Sequence, residues 1–470
     1  MLSDNKLNAS FYLSLLVGLA GVVVGVAVGF GAGAVPIYIG LLLAVVAVLV
    51  FFFARFEQAV LILLVLRSSL DPLSAQQVPA AFAIGLDGLT ILYVIVQILL
   101  RQKVNTDKFF WFFAGWVAFL GIWVVLPVIG WGLLGTTYFV EGIREWTRIF
   151  SWLMVYLLVM QLKGRIHPQK VIPFLFFSLL VPLSVGLLQL VIPSRLPAAI
   201  TCNNCLNSTL GHPSTFGTFL FLFISFTLWK LGHAREKRWL WLSILGTLAF
   251  FMVMTKSLTS LIMMSIFLMA LIAPRLNLLK LIGAILFIAL VFYLFASTEL
   301  GSEKLAALLE TPLFNQDLDI SRTILLSFGD GNSANWRIAQ WSFLIDAWKQ
   351  APFFGYGLGT SKYITYFQNY AHNDYLRFLA ETGIIGFTSF ITFLGVQVAF
   401  LIKYLKDSAL GSPRRRLCVT MLAIFVAIIF GMATDNVWSH TTLFFYWWLL
   451  FAIVGWGEEQ ESMYKLRVKS

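Results

Sequence analysis

Long apolar runs constrain this chain more than any other feature of its sequence. Stretches of roughly 20 apolar residues follow one another with short polar connections up to residue 297, and three more follow residue 383. A run of that length crosses a bilayer as a helix. Because backbone polar groups in lipid must bond within the protein, the pattern predicts an all-α polytopic membrane protein.

The runs predict about 14 transmembrane helices. Composition agrees, since 59% of the residues are hydrophobic and 12% are charged, whereas soluble domains carry about 25% charged residues. The run at 58–70 is the shortest, and it is kept because the later spans would otherwise change sides. The predicted spans are 11–30, 36–54, 58–70, 81–100, 109–130, 143–162, 171–192, 214–230, 239–254, 258–273, 278–297, 384–403, 416–433 and 441–457.

The net charge of +11 does not indicate a nucleic-acid partner, because the basic residues are concentrated in alternate short loops. This is the distribution of cytoplasmic loops under the positive-inside rule. Both termini are therefore predicted to be cytoplasmic. The chain divides into helices 1–11 at 1–297, one large extracytoplasmic loop at 298–383 that holds the candidate catalytic residues, and helices 12–14 with a cytoplasmic tail at 384–470.

The second part of the large loop is predicted to contain two helices. The first runs from about Ser333, a suitable N-cap, to Gln350 and ends before Pro352. A glycine-rich turn follows at 355–359. The second helix begins near Asn373 and continues toward the twelfth span, which brings polar residues to the membrane surface.

His372 is the strongest candidate for catalysis in this loop. With Asn373 as N-cap, the histidine precedes a helix N-terminus, where the helix dipole disfavours the protonated imidazole. A neutral imidazole accepts a proton, as a general base must. The alternative is a polar residue that only forms hydrogen bonds at the lipid–water interface.

Charged residues continue along the same helix. Asp374, Arg377 and Glu381 share one face, which predicts Asp374–Arg377 and Arg377–Glu381 ion pairs. For the two acids a solvated, ion-paired face is the favoured interpretation. Arg377 is a candidate both for that pairing and for holding a phosphate.

The first loop helix places Arg337, Trp341, Leu344 and Trp348 on one stripe. Aromatic stripes of this kind usually serve packing. Arg337, at the start of the stripe, has another possible use, since a guanidinium donates two parallel hydrogen bonds to phosphate oxygens and stays charged.

Further basic residues lie on the predicted outer side, against the general charge bias. Arg144 and Arg148 lie one turn apart where the sixth span begins, and ionisable groups in spans are costly enough to suggest function. Snorkelling to the interface, or pairing with Glu141 and Glu145, is the alternative. Lys256, in a short outside turn, is a weaker candidate.

Two local pairings are also predicted. Cys202 and Cys205 lie in an outside loop. A zinc site needs four ligands, and only His212 lies close by in the sequence. An oxidising compartment favours a local disulfide over free thiols. Arg67 and Asp71 are predicted to form an ion pair.

Two motifs in the large loop resemble the signature of the O-antigen ligase and O-antigen polymerase superfamily. One is His372-Asn373-x-Tyr375-Leu376 followed by Glu381-x-Gly383-Ile384-Ile385-Gly386, and the other is Arg337-x-x-x-Trp341 followed by Pro352, Gly355, Gly357 and Gly359. The match covers about fifty residues, in the order and in the predicted outside loop that the superfamily has.

The resemblance implies a GT-C-like, metal-independent, inverting glycosyltransferase without a cofactor in the bacterial inner membrane. Its donor would be a glycan on undecaprenyl diphosphate at the periplasmic face. His372 falls on the superfamily's essential histidine and Arg337 on the arginine that meets the diphosphate. Supporting roles fall to Asn373, Tyr375, Glu381 and Trp341.

A second arginine of the superfamily is missing here. Its Thr-x-Ser-Arg motif reads Thr255-Lys256-Ser257-Leu258 in this chain. Lys256, or the pair Arg144 and Arg148, would then supply the charge at the diphosphate.

Three functions remain open at this point. A polymerase, which is favoured, extends a lipid-linked glycan and would be expected to have a chain-length regulator as partner. A ligase joins the glycan to lipid A–core or another acceptor. A transporter of lipid-linked sugars would have repeated halves and charges at the bilayer midplane, whereas this chain gathers its polar groups in one outside loop.

Overall fold

The computed structural model describes residues 36–129, 135–197, 200–202, 205–232, 237–273, parts of 282–297, 299–311, 320–327 and 333–457. Within these ranges the chain forms α-helices, short 3-10 segments and turns, without a strand. The described chain is therefore all-α, as its sequence predicts.

The α-helices are numbered here in chain order. They are α1 (Pro36–Ala54), α2 (Phe56–Leu66), α3 (Val78–Leu99), α4 (Lys108–Leu120), α5 (Ile122–Val125), α6 (Phe139–Met160), α7 (Pro168–Leu175), α8 (Leu180–Val191), α9 (Pro213–Leu231), α10 (Arg238–Met254), α11 (Leu258–Ile272), α12 (Glu299–Leu309), α13 (Ile320–Leu326), α14 (Ser333–Gln350), α15 (Ser361–Ile364), α16 (Asp374–Lys406), α17 (Pro413–Gly431) and α18 (Thr441–Gly455).

Helices lie at the second to tenth predicted spans and at the last three. The first predicted span lies outside the described residues, and 278–297 is described only in part. Five helical stretches of the described chain are long and apolar enough to cross a membrane: α3, Lys108–Val125, Lys170–Val191, α9 and α16. These support a membrane protein, while the count of about 14 crossings, the GT-C-like fold and the three-part division of the chain stay predictions.

The chain forms two compact units. The first comprises Met1–Trp111, Ser151–Ser184 and Trp447–Ser470, and the second comprises Phe112–Phe150 and Val185–Tyr446. All the candidate site residues belong to the second unit.

The first unit has an aromatic and polar interior. The rings of Phe56 and Tyr93 stack with their centroids 4.0 Å apart. The predicted ion pair of Arg67 with Asp71 is confirmed, with 2.7 Å between the nitrogen and the oxygen. Since both side chains are largely buried, the pair neutralises a charge that would be costly alone.

The second unit is built around α16 and α17, which pack against each other, and around α9, which packs against α10, α11 and α17. The ring of Trp116 stacks on that of Phe393 at 3.8 Å. One turn further along the core, Phe378 stacks on Phe390 at 3.9 Å. Flat, buried ring pairs of this kind fix how α16 is rotated about its axis.

The helix predicted from near Asn373 toward the twelfth span is present as α16, and it is broken at Gly383. This residue has φ +61° and ψ −169°, which only glycine adopts easily. A Cβ atom there would lie 2.3 Å from the carbonyl carbon of Phe353. Glycine is therefore required both for the backbone conformation and for the close approach of the preceding loop.

The break in α16 lets the segment after α14 bond to the helix backbone. The N–H groups of Tyr356 and Gly357 donate to the freed carbonyls of Ala380 and Glu381, at 3.1 and 2.8 Å. The N–H of Ile384 donates in turn to Pro352 at 2.8 Å. The glycine-rich turn is thereby attached to the start of the membrane helix.

Candidate active site

His372 is held in an uncommon backbone conformation directly before α16. Its φ is +50°, which costs a non-glycine residue free energy that the surroundings must supply. Its N–H donates to Asn436 Oδ1 at 2.8 Å. Asn373 is the N-cap of α16, as predicted, and its side chain accepts the N–H groups of Tyr375 and Leu376, each at 3.1 Å.

The imidazole of His372 is paired with a carboxylate that sequence reasoning missed. Nδ1 of His372 lies 2.7 Å from Oδ1 of Asp435, and the two side chains are 23% and 5% exposed. Burial alone would raise the pKa of Asp435, but the hydrogen bond from His372 and the nearby His440 hold it below its usual range. Asp435 is therefore a carboxylate at neutral pH.

The ionisation of Asp435 decides the tautomer of His372. A carboxylate only accepts hydrogen bonds, so Nδ1 of the imidazole must carry the proton that it donates. The lone pair of the neutral ring is then on Nε2. This is the arrangement in which a histidine can take a proton from a hydroxyl group.

The loop between α17 and α18 surrounds the N-terminus of α16. The N–H of Asp374 donates to Met432 O at 2.8 Å, and the N–H of Trp438 donates to Asp374 Oδ2 at 2.7 Å. The hydroxyl of Tyr375 donates to Ile429 O at 2.7 Å. These hydrogen bonds hold the loop that contains Asp435 against the start of α16, next to His372. They also correct the sequence analysis, because Asp374 binds a backbone N–H instead of forming an ion pair with Arg377.

Arg377 is entirely buried, so the prediction of a solvated charged face is wrong. Its Nε lies 3.0 Å from Glu381 and its Nη2 lies 3.0 Å from Glu145, and Nη1 donates to Ser439 Oγ at 2.8 Å. The ring of Tyr370 lies 4.3 Å from the guanidinium carbon. The predicted Arg377–Glu381 pair is thus confirmed, but inside the protein.

The two arginines of α6 differ sharply in their surroundings. Arg148, 17% exposed, forms an ion pair with Glu145, whose carboxylate also meets Arg377. Arg144 is 67% exposed and pairs with Glu141 at 2.8 Å. The pairings that the sequence offered as the alternative to function are therefore present. They leave Arg144 open to solvent.

Glu381 fixes the glycine-rich turn. Its carboxylate accepts the N–H of Gly359 at 2.9 Å and the hydroxyl of Ser361 at 2.6 Å, in addition to meeting Arg377. Lys362, next in the chain, reaches Glu141 at 3.3 Å. Glu381 of α16 and Glu141 of α6 thus both bind the segment 359–362 through hydrogen bonds and an ion pair.

The stripe on α14 serves packing, as predicted, with Arg337 as the exception. Trp341 donates from Nε1 to Ala371 O at 2.7 Å, and Leu344 lies in a buried cluster with Ala371 and Ala380. Arg337 is partly buried and forms no ion pair or side-chain hydrogen bond with any residue in the described ranges. Among the described residues its guanidinium therefore has no hydrogen-bond or ion-pair partner.

Lys256, Cys202 and Cys205 lie in other parts of the second unit. Lys256 is exposed, with φ +54°, in the turn between α10 and α11. No bond joins its side chain to His372 or to the candidate arginines in the part of the chain that the structure describes. Cys202 and Cys205 form a disulfide, which confirms the local pairing predicted for them.

Two further histidines, His440 and His212, lie near enough to the His372–Asp435 pair to interact electrostatically with it. His440 is buried, its Nδ1 lies 3.0 Å from Thr218 Oγ1, and burial lowers its pKa to about 4. His212 accepts the N–H of Ser214 at the start of α9, at 3.2 Å. Burial lowers the pKa of His212, while the charge of Asp435 raises it. No spacing in the sequence connects these residues with His372, because each comes from a different loop.

The described residues thus define a helical membrane protein in which a histidine–carboxylate pair lies in the same compact unit as the candidate basic side chains. No three His, Cys, Asp or Glu side chains among the described residues come together as a set that could hold a metal ion. Such a site can deprotonate a hydroxyl group and stabilise an anion.

The model of the O-antigen ligase family matches residues 243–391. This segment is about a third of the chain and contains His372, Arg337 and the glycine-rich turn. The match confirms the resemblance to the O-antigen ligase and polymerase superfamily that the two motifs carry. No curated protein matches the chain.

Proposed function

We propose that the protein is an inverting membrane glycosyltransferase. It transfers a glycan from undecaprenyl diphosphate to a sugar hydroxyl at the periplasmic face of the bacterial inner membrane. The observation that carries the proposal is the 2.7 Å contact between His372 Nδ1 and Asp435 Oδ1, because it leaves Nε2 as a base in the unit that also holds Arg337 and Arg144. The O-antigen ligase match supports the same class of reaction.

The reaction needs one base and one anion-stabilising group. Nε2 of His372 takes the proton of the acceptor hydroxyl as its oxygen attacks the anomeric carbon of the donor sugar. The bond from that carbon to the diphosphate oxygen breaks, and the lipid diphosphate leaves with the negative charge. A base contributes about 10²–10⁴-fold to such a step. The imidazolium that forms is stabilised by the carboxylate of Asp435.

Arg337 is the first choice for binding the diphosphate, because its guanidinium is free of protein partners in the described chain. Arg144 is exposed and can add its charge, as can Arg148 and Lys256. Arg377 has a different role in the proposal, since two carboxylates already bind it. We assign it the positioning of Glu145 and Glu381, and through them of Arg148 and the glycine-rich turn.

Among the activities of the superfamily, the polymerase remains the first proposal, with a chain-length regulator as an expected partner. The ligase, the activity after which the matching family is named, is the alternative. In either case the termini are placed in the cytoplasm and the loop at 298–383 in the periplasm, with catalysis independent of metal.

The test uses the purified full-length protein with an undecaprenyl-diphosphate-linked oligosaccharide and an acceptor. We expect His372→Ala and Arg337→Ala to lose transfer, and we expect an excess of chelator to leave the wild type active. Wild-type transfer by both variants would refute the catalytic proposal. Loss of all activity with chelator would refute metal independence.

The two activities separate when lipid-linked repeats are supplied without a core acceptor. Longer lipid-linked chains identify a polymerase. Transfer that begins only after lipid A–core is added identifies a ligase. Movement of the lipid-linked sugar across vesicles without new glycosidic bonds would instead identify a transporter.

A further inference from the structure

Aromatic side chains extend outward from the catalytic histidine. Trp336 meets the His372 ring edge to face, with 5.6 Å between the centroids. Phe367 lies 5.5 Å from Trp336, and Tyr366 lies 6.3 Å from Phe367. We call Trp336, Tyr366 and Phe367 the aromatic platform. It comes from α14 and from the segment after α15, and its inner end touches the proposed base.

The platform is held rigidly. Phe343, about two turns after Trp336 on α14, contacts the ring of Phe367, with 5.9 Å between the centroids. Gln340, which is fully buried, donates from its amide to Thr365 Oγ1 at 2.8 Å and also to Asn369 O. One buried side chain thus pins both ends of the segment 365–369 to α14. A site fixed in this way loses little conformational entropy when it binds a ligand.

The platform is exposed at its outer end and carries no charge. Tyr366 is 75% exposed, and the amide side chains of Gln368 and Asn369 are also exposed. The segment 365–370 contains no acidic or basic residue. Arg377 and Lys362 lie against the ring of Tyr370 at one end of this segment, but both are already paired with carboxylates. The exposed ring and amides at the outer end suit a neutral polyhydroxyl ligand, which has apolar C–H faces and hydroxyl edges.

We propose that the aromatic platform is the binding subsite for the acceptor sugar. The sugar ring packs its C–H face on the exposed aromatic side chains, whose π faces are electron-rich, and Gln368 and Asn369 hydrogen-bond its hydroxyl groups. This inference rests on the proposed glycosyltransferase function and adds the location and chemistry of its acceptor site.

The position of His372 assigns the platform to the acceptor instead of the donor. The base takes its proton from the acceptor, so a ring that lies against the imidazole lies beside the acceptor hydroxyl. The donor diphosphate needs the basic residues. Arg337 follows Trp336 directly on α14, so the residue proposed for the donor diphosphate and one residue of the platform occupy adjacent positions of the same helix.

The experiment measures the KM for each substrate separately, with the full-length protein. The acceptor probe is a repeat-unit oligosaccharide on a short alkyl chain without a diphosphate, so that it accepts but cannot donate. We expect Tyr366→Ala to raise the acceptor KM about three- to ten-fold with the donor KM and kcat unchanged. Trp336→Ala should raise it further, and Trp336→Phe should restore most of the loss.

Phe353→Ala is the matched control, because Phe353 is also an exposed aromatic side chain, at 64%, that lies outside the platform. It should leave both KM values unchanged. The inference is overturned if Tyr366→Ala leaves the acceptor KM within two-fold of wild type, or if it raises the donor KM instead. Failure of the proposed function is a different result, namely full activity of His372→Ala.

Discussion

Oδ1 of Asp435 lies 2.7 Å from Nδ1 of His372, although the two residues are 63 positions apart in the chain. The carboxylate comes from the loop between α17 and α18, and the imidazole from the start of α16. Three hydrogen bonds, each donated by a backbone N–H group, join that loop to residues 372 to 374 and hold the pair together. The proposed base is therefore defined by two elements, and substitutions in either one should affect it.

Asp435→Asn should lower kcat about 10²-fold or more while the KM for the donor changes little. The asparagine amide can donate to Nδ1, which would move the imidazole proton to Nε2 and remove the base. Steady-state kinetics with a lipid-linked donor measure the effect. Asp346→Asn is the control, since Asp346 is an exposed acid of α14 that pairs with Lys349. Kinetics of Asp435→Asn equal to wild type would show that the carboxylate does not orient the base.

Alanine substitutions of two arginines in the same unit should have different effects, one on turnover and the other on stability. Arg337→Ala should reduce turnover about 10²-fold without changing the thermal unfolding temperature, because the guanidinium has no partner in the described structure. Arg377→Ala should lower the free energy of unfolding by about 3–5 kcal/mol, because the buried Glu381 would lose its ion-pair partner and Glu145 would lose one of the two arginines that meet it. Thermal unfolding in detergent, beside the transfer assay, separates the two. A strongly destabilised Arg337→Ala would contradict the assignment.

The two acids of α6 offer a similar comparison. Glu145→Gln should cost about 3 kcal/mol or more, since Arg148 and Arg377 share this buried carboxylate. Glu141→Gln should lower the free energy of unfolding by about 1 kcal/mol or less, because its partner Arg144 is 67% exposed and Lys362, its second partner, is 25% exposed and 3.3 Å away. The free energy of unfolding in denaturant is the measurement. Equal losses would mean that Glu145 does not bridge the two arginines.

Gly383→Ala should destabilise the protein by about 3 kcal/mol or more, because an alanine Cβ would collide with the Phe353 backbone and would be strained at φ +61°. Gly395→Ala lies further along α16, where an added Cβ meets nothing within 4 Å. That change should be neutral or stabilise by up to about 1 kcal/mol. Unfolding temperatures of the two variants decide the matter. Similar values for both would show that the break in α16 is unnecessary.

Acid should destabilise the protein through His440. Burial lowers its pKa from 6.5 to about 4, so the unfolded chain takes up a proton at a higher pH than the folded one. The contribution of His440 to the free energy of unfolding is fully present above about pH 6.5. It is lost as the pH decreases toward 4, by at most about 3 kcal/mol. Unfolding temperatures between pH 7 and 4.5 measure this loss, and His440→Asn should flatten the profile. An equally steep profile in that variant would rule out His440 as its source.

Local features of this protein were accessible from the sequence because their causes are local. The N-cap role of Asn373 depends on residues within one helical turn, and so do the pairs of Arg144 with Glu141 and Arg67 with Asp71. The limits of α14 follow from Ser333 at its start and Pro352 after its end. Contacts within a turn are fixed by helix geometry, so their residues can be named from spacing alone.

Burial was not accessible in the same way. Arg377 was expected on a solvated face because its neighbours Asp374 and Glu381 are charged, and a charged face usually faces water. In the fold, Glu145 from α6 supplies a second carboxylate and Ser439 supplies a further acceptor. An arginine can be buried only where such partners converge, and the convergence depends on elements far apart in the chain.

The sequence by itself determined that the chain is helical and apolar enough for a membrane, and it singled out His372 and Arg337 through two motifs. Hydrophobic runs and short-range spacing carry that information, because lipid permits few backbone structures. Only the tertiary structure decided that Asp435 is the partner of His372, that Gly383 interrupts α16, and that Trp336 borders the base. Each of these depends on a contact between residues from different elements, which no local pattern of the sequence specifies.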